Sequence, residues 1–135
     1  MPRPARAERQ RYLTTRQQSG ALAEDLVARH LEEQGFVILK RNLRLGHLEI
    51  DIVARKDDLC VMCEVRTRGP GAFEGPLASI ASGKKRMHLL NAADRLWRFH
   101  LAKMEGVERM RIDVAGVTFE NGETKIDYIA GALTR

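Results

Sequence analysis

Between Leu48 and Arg66 the side chains alternate in polarity on both sides of a short polar break, and few folds accommodate that pattern. Leu48-Glu49-Ile50-Asp51-Ile52 and Cys63-Glu64-Val65-Arg66 each repeat with a period of two, as half-buried strands do. Arg55-Lys56-Asp57-Asp58 between them reads as a compact hairpin turn. The reading is therefore a hairpin of strands 48–54 and 59–67. On the first strand Glu49 and Asp51 share a face, with Leu48, Ile50 and Ile52 on the other. On the second, Glu64, Arg66 and Arg68 share a face opposite Val61, Cys63 and Val65. A turn centred on Asp57 pairs Asp51 near Cys63 and Glu64, where directly opposed Cβ atoms stand about 5 Å apart.

The remaining elements follow from period and punctuation. Residues 17–34 carry a helical pattern, with Leu22, Leu26 and His30 in one row and Val27 and Leu31 beside it. Gly35 sits where a helix end needs a left-handed residue. Phe36-Val37-Ile38-Leu39 is a short strand ending near Lys40-Arg41-Asn42, and Gly46 marks a turn. Gly69 to Pro76 is a glycine- and proline-rich loop leaving the Glu64 strand. A long helix over 77–104 follows, with Leu89, Ala93, Leu96, Trp97 and His100 inward. Strands 109–118 and 124–130 meet at Asn121-Gly122, a strong hairpin signal. The order α-β-β-β-α-β-β is that of an α/β domain with helices packed on a central mixed sheet. The expected organisation is one domain over 17–135 behind a basic, flexible arm of residues 1–16.

Charge is concentrated in that arm. Five arginines (Arg3, Arg6, Arg9, Arg11 and Arg16) against Glu8 hold +4 of the net +5. Such an arm either follows phosphates or solubilises the chain. No apolar run approaches the ~20 residues that span a bilayer, and the first residues lack the apolar stretch of a secretory signal. The expectation is a cytoplasmic protein with no membrane partner. Cys60 and Cys63 form a C-x-x-C, but an odd spacing on a strand sends the two thiols to opposite faces. With no second pair to complete a zinc site, they read as reduced core cysteines.

Two carboxylates as close as Asp51 and Glu64 repel unless positive charge lies between them. A divalent cation is one solution, and Arg66 folding back is another. Glu24, at helical spacing from Val27 and Leu31, borders the buried face of the first helix as either an ion-pair partner or a third metal ligand. The competing reading of the hairpin acids is a solvated sheet face with cross-strand ion pairs, such as Glu49 with Arg66 or Arg68.

Gly20-x-x-Ala23-Glu24-x-x-Ala28-x-x-Leu31, Gly35-Phe36, Arg41-Asn42, Glu49-Ile50-Asp51-Ile52, Glu64-Val65-Arg66-x-Arg68, Lys84 to Arg86 and Arg111-Ile112-Asp113-Val114 follow one another in a specific order. In this the chain resembles the YraN-like family of small bacterial proteins. That family resembles the Holliday-junction-resolvase type of PD-(D/E)xK nuclease, with a restriction-endonuclease-like fold. The resemblance implies Asp51 and Glu64 as catalytic metal ligands for Mg²⁺ or Mn²⁺, with Glu24 as a third. It places Arg66 at the motif lysine and Arg68, Lys84, Lys85 and Arg86 on nucleic acid. Two positions depart from the pattern: Leu48 stands where the family usually has glycine, and Arg66 stands for lysine. Arginine counters phosphate charge but stays protonated and cannot serve as a general base. Lys84 or Lys85 is the alternative source of an amine.

Three functions remain open at this point. The first is a metal-dependent endonuclease hydrolysing phosphodiesters in structured or branched DNA. The second is a catalytically weakened nucleic-acid-binding module. The third is an assembly or scaffold protein. A homodimer would suit a branched substrate. The four Phe, two Tyr and one Trp do not cluster near the acids, so base stacking offers no specificity there.

Overall fold

A computed structural model of the chain describes residues 15–68 and 82–133, with side chains for 19–67 and 82–133. The elements are α1 (Thr15–Glu33), β1 (Val37–Leu45), β2 (Leu48–Lys56), β3 (Leu59–Arg68), α2 (Gly83–Phe99), a 3-10 turn (Leu101–Lys103), β4 (Arg109–Glu120) and β5 (Glu123–Leu133). The expected order is borne out. One five-stranded sheet runs β1-β2-β3-β4-β5, and only the β3–β4 pair is parallel. A parallel pair needs a crossover, which α2 provides. Residues 1–14 of the arm, the 69–76 loop and residues 77–81 of the expected second helix lie outside the described residues.

The sheet has a hydrophobic core on each face. Ala23, Val27, Ala28 and Leu31 of α1 pack on Ile52, Ala54, Val61, Cys63, Ala115 and Val117. Leu89, Ala92, Ala93 and Leu96 of α2 pack on Leu48, Ile50, Val53, Cys60, Met62, Ile112 and Val114. The free, buried cysteines fall in different cores, as their spacing requires. Truncating Leu96, 1% exposed at the α2–sheet interface, removes packing that nothing else fills. Leu96→Ala is expected to cost about 2–5 kcal/mol, read as a lower urea midpoint at unchanged m-value.

Local chemistry fixes the element ends. Gly35 adopts φ 94°, and the Phe36 N–H donates to Leu31 O at 3.0 Å, a Schellman closure that turns the chain into β1. Two-residue turns at Asp57-Asp58 and Asn121-Gly122 close the β2–β3 and β4–β5 hairpins, with Asn121 and Gly122 both at positive φ.

Several expectations need correction. The buried row of α1 runs through Ala23 rather than Leu22, which is 48% exposed, because a helix lying close on a sheet has room for a small side chain there. β1 continues through Lys40-Arg41-Asn42 to Leu45, since an edge strand tolerates polar side chains. In α2 the inward position goes to Ala92, while His100 is exposed and ends the helix.

Candidate metal and phosphate site

The hairpin acids owe their placement to a break in the sheet. β2 pairs with β3 only as far as Ile52↔Cys63, so the next step puts Asp51 opposite Glu64. There the Asp51 carboxylate enters the ladder itself: its Oδ2 accepts the Val65 N–H at 2.8 Å. On the other side, the β1–β2 pairing passes from Arg41↔Ile52 to Leu43↔Ile50 across Asn42, which holds φ 51°. At this point β2 exchanges faces. Leu48 and Ile50 belong to the α2 core, whereas Ile52 and Ala54 belong to the α1 core. The expected uniform alternation of Leu48, Ile50 and Ile52 is therefore corrected, and Asp51 stands at the crossing.

Around Asp51 the charge is predominantly negative. Burial first, then the charge of Glu64, then Glu24 and Glu49, push its carboxyl from 3.8 to about 7 against the lowering effect of the Val65 N–H. Glu24 is also pushed up, mainly by burial, with Arg41 and Asn42 opposing. With its amide NH₂ turned toward them, Asn42 donates to Glu24 Oε1 at 2.9 Å and Glu49 Oε1 at 3.1 Å. Glu24 also lies 3.9 Å from Arg41, which pairs more closely with Asp25 at 2.8 Å.

Glu64 is only 8% exposed, whereas Glu49 on β2 is exposed, so the acidic face is solvated only in part. Its Oε1 receives two cations, Arg66 Nη2 at 2.9 Å and Lys85 Nζ at 3.2 Å. Arg66 thus folds back on Glu64, while Glu49 pairs instead with Arg44 at 3.9 Å. The expected Glu49–Arg66 pair does not form. The Arg68 side chain lies outside the described set.

A cleft of about 290 Å³ opens over these groups, lined by His47, Leu48, Glu49, Asp51, Glu64, Lys85, His88, Leu89 and Ala92. Glu24 and Arg66 are not among its walls. Lys84 and Arg86 are exposed on the first turn of α2, and only Lys85 of the three turns onto the acids. His47 and His88 escaped the sequence reading because they are far apart in the chain and meet only across the cleft. His47 sits in the β1–β2 turn with Gly46, whose φ is 69°. A Cβ on Gly46 would come 2.8 Å from Arg95 Nη1, the group that donates to Leu45 O at 3.1 Å. Leu48 is a core residue of the α2 side, which accounts for a large side chain at that position.

Asp113 is a further missed residue. It is 0% exposed on the α1 face, where Arg111 Nε and Nη2 donate to its two oxygens at 2.8 and 2.9 Å. The Tyr128 hydroxyl and the Gly131 N–H complete the set. Satisfied on both oxygens, it is a structural ion pair.

The family model described as "Uncharacterised protein family UPF0102" matches residues 23–117, which include every residue of the acidic cluster. The chain belongs to this family. UPF0102 proteins similar to it include one from Sorangium cellulosum, 47% identical over 84% of this chain and 79% of the relative. Another, from Desulforapulum autotrophicum, is 38% identical over 87% and 94%, and one from Streptomyces coelicolor is 40% identical over 83% and 85%. Among solved structures, SfsA from Pyrococcus furiosus in complex with Ca²⁺ is distantly similar, with TM-score 0.34 and 15% identity over 86% of this chain and 63% of that one. No helix among the described residues of this UPF0102 chain is long and apolar enough to cross a membrane.

Whether the cluster suits a divalent cation can be judged from its donors. Among the described residues no group of three or more His, Cys, Asp and Glu side chains forms a ready-made metal shell. Mg²⁺ does not require one, since it commonly takes one or two carboxylates and completes its octahedron with water and phosphate oxygens. Among the described residues, contacts engage Asp51 Oδ2 and Glu64 Oε1, which leaves Oδ1 and Oε2 as the donors a cation would meet. The donor chemistry fits.

Asn42 can be tested directly, because its backbone and its amide are separable. Asn42→Gly keeps access to positive φ and loses only the bridge between Glu24 and Glu49. It is expected to cost about 1 kcal/mol or less in chemical denaturation, whereas Asn42→Asp, which sets a third carboxylate between two others, should cost about 1–3 kcal/mol at pH 8.

Proposed function

We propose that this protein is a metal-dependent endonuclease-like enzyme that hydrolyses phosphodiester bonds in structured or branched DNA, using Mg²⁺ or Mn²⁺ held by Asp51 and Glu64. The observation that carries this reading is Asp51 itself: a half-buried carboxyl, opposite Glu64 at a break in the sheet, raised to about 7 by burial and neighbouring acids, and open to a cleft. A largely buried carboxylate whose nearest charges are other acids, as Asp51 has in Glu64, Glu24 and Glu49, favours binding a cation. The sequence resemblance to PD-(D/E)xK nucleases supports the same assignment, with Glu24 and Glu49 in supporting positions around Asn42. A metal held by Asp51 and Glu64 would supply Lewis-acid stabilisation of the phosphate and activation of the attacking water. Arg66 clamps Glu64, and the basic first turn of α2 faces incoming phosphates.

One observation favours a second reading, a binding module without turnover. Glu64 Oε1 is already neutralised by Arg66 and Lys85, so that carboxylate is stable with no metal present. Incubating the protein with junction, flap and linear DNA in Mn²⁺ and in EDTA separates the two. The nuclease reading expects junction or flap cleavage that disappears in EDTA and in Asp51→Ala. Uncut DNA bound with steep salt dependence would favour the binding module, and neither result would leave an assembly role.

A further inference from the structure

We propose that Lys85 of α2, not Arg66 of β3, is the cation that meets the substrate phosphate. This rests on the nuclease-like reading of the cleft and assigns a residue within it. Four observations bear on the choice between them. Both cations touch the same oxygen, Glu64 Oε1, at 3.2 and 2.9 Å, so either is close enough to the acids. Lys85 lines the cleft and Arg66 does not.

The third observation is how Lys85 is held. Ser82 caps α2, and its Oγ accepts the Lys85 N–H at 3.2 Å, which fixes the backbone from which the amine projects. The fourth is electrostatic. The first turn of α2 carries Lys84, Lys85 and Arg86 and no acidic residue. Positive side chains there oppose the helix dipole, so stability alone would not select them. Their placement makes sense if the turn meets anions, and Lys85 is the one that turns inward to Glu64.

In the hydrolytic step, a water oxygen bonds to phosphorus while the ester P–O bond breaks and its electron pair leaves on the sugar oxygen. One proton passes from the attacking water to solvent and one reaches the leaving oxygen from solvent. Lys85 donates ammonium hydrogen bonds to a non-bridging phosphate oxygen as negative charge accumulates. An ammonium contacting that charge does the work the strand lysine does in the resembling nucleases, from a different element.

The test uses Lys85→Met, Lys85→Arg, Arg66→Lys and, as a control on β5 away from the cleft, Lys125→Met in the full chain. With Mn²⁺ and junction DNA, Lys85→Met is expected to lose cleavage about 100-fold, while Lys125→Met stays within about 3-fold and Arg66→Lys gains nothing. In EDTA, the slope of log K against log salt for DNA binding should fall by about one in Lys85→Met and be restored in Lys85→Arg. Full cleavage by Lys85→Met, a clear rate gain in Arg66→Lys, or an unchanged salt slope in Lys85→Met would overturn the assignment. Wild-type protein that cuts no DNA would instead defeat the nuclease reading, and the salt slope would still decide whether Lys85 meets phosphate.

Discussion

Asp51→Asn is expected to make the metal-free protein more stable at pH 8. Asp51 is raised from 3.8 to about 7 in the folded state. Between those values the folded chain binds more protons than the unfolded chain, so its stability falls as pH rises and the loss is complete above about 7. A shift of this size corresponds to an upper limit of about 4 kcal/mol, of which relaxation and partial solvation leave on the order of 2 kcal/mol. Asparagine mimics the protonated acid, and its Oδ1 can still accept the Val65 N–H. The gain over wild type should therefore be small near pH 4 and grow to roughly 5 °C in Tm or more at pH 8. Thermal unfolding of both proteins in EDTA from pH 4 to 8 measures it. A variant less stable than wild type at pH 8 would mean that Asp51 is not under electrostatic strain.

The second large effect lies on the opposite face of the sheet. Asp113→Ala leaves the Arg111 guanidinium, the Tyr128 hydroxyl and the Gly131 N–H without their shared acceptor, at a site where Asp113 is fully buried and Arg111 is 34% exposed. Breaking a fully buried pair from one side costs about 3–5 kcal/mol, and the partial solvation of Arg111 lowers this to about 2–3 kcal/mol, still a large fraction of a domain's ~5–15 kcal/mol. Adding Arg111→Met removes the stranded charge and should recover more than 1 kcal/mol, because the penalty belongs to the unpaired ion and not to the missing pair. Urea denaturation of the single and double variants checks both statements. A single-variant cost below 1 kcal/mol would show that water reaches the network freely.

Much of this architecture was legible in the residues. The β2–β3 hairpin, the shared face of Glu64 and Arg66, the split cysteines and the Asn121-Gly122 turn all follow from period two and turn chemistry. The exchange of faces at Asp51 did not. With helices on both sides of the sheet, Ile50, Ile52, Val53 and Ala54 are all buried, so apolar character stops reporting which way a side chain points. Local pattern also missed Ala92 in place of His100, because which turn of a helix ends against a sheet is decided by tertiary contact. His47 and His88 lacked any sequence signal for the same reason. Asp113 was visible within Arg111-Ile112-Asp113-Val114, but its role depends on Tyr128 and Gly131, which reach it from another strand.

Among the acids, helical spacing left Glu24 as either an ion-pair partner or a third metal ligand beside Asp51 and Glu64. The geometry separates them. Glu49 is on the cleft wall, whereas Glu24 meets the cluster through Asn42 and is paired on its other side with Arg41. A metal bound at the cleft would be expected to depend strongly on Asp51 and Glu64 and only moderately on Glu24.

The central claim is that Asp51 and Glu64 together hold a divalent cation. Calorimetric titration of Mn²⁺ into wild-type, Asp51→Asn and Glu24→Gln protein at pH 8 tests it most directly. The account predicts one site in wild type, affinity weakened by about 10-fold or more in Asp51→Asn, and a smaller change in Glu24→Gln. Equal Mn²⁺ affinity in wild type and Asp51→Asn, or no binding to the wild-type chain, would contradict it.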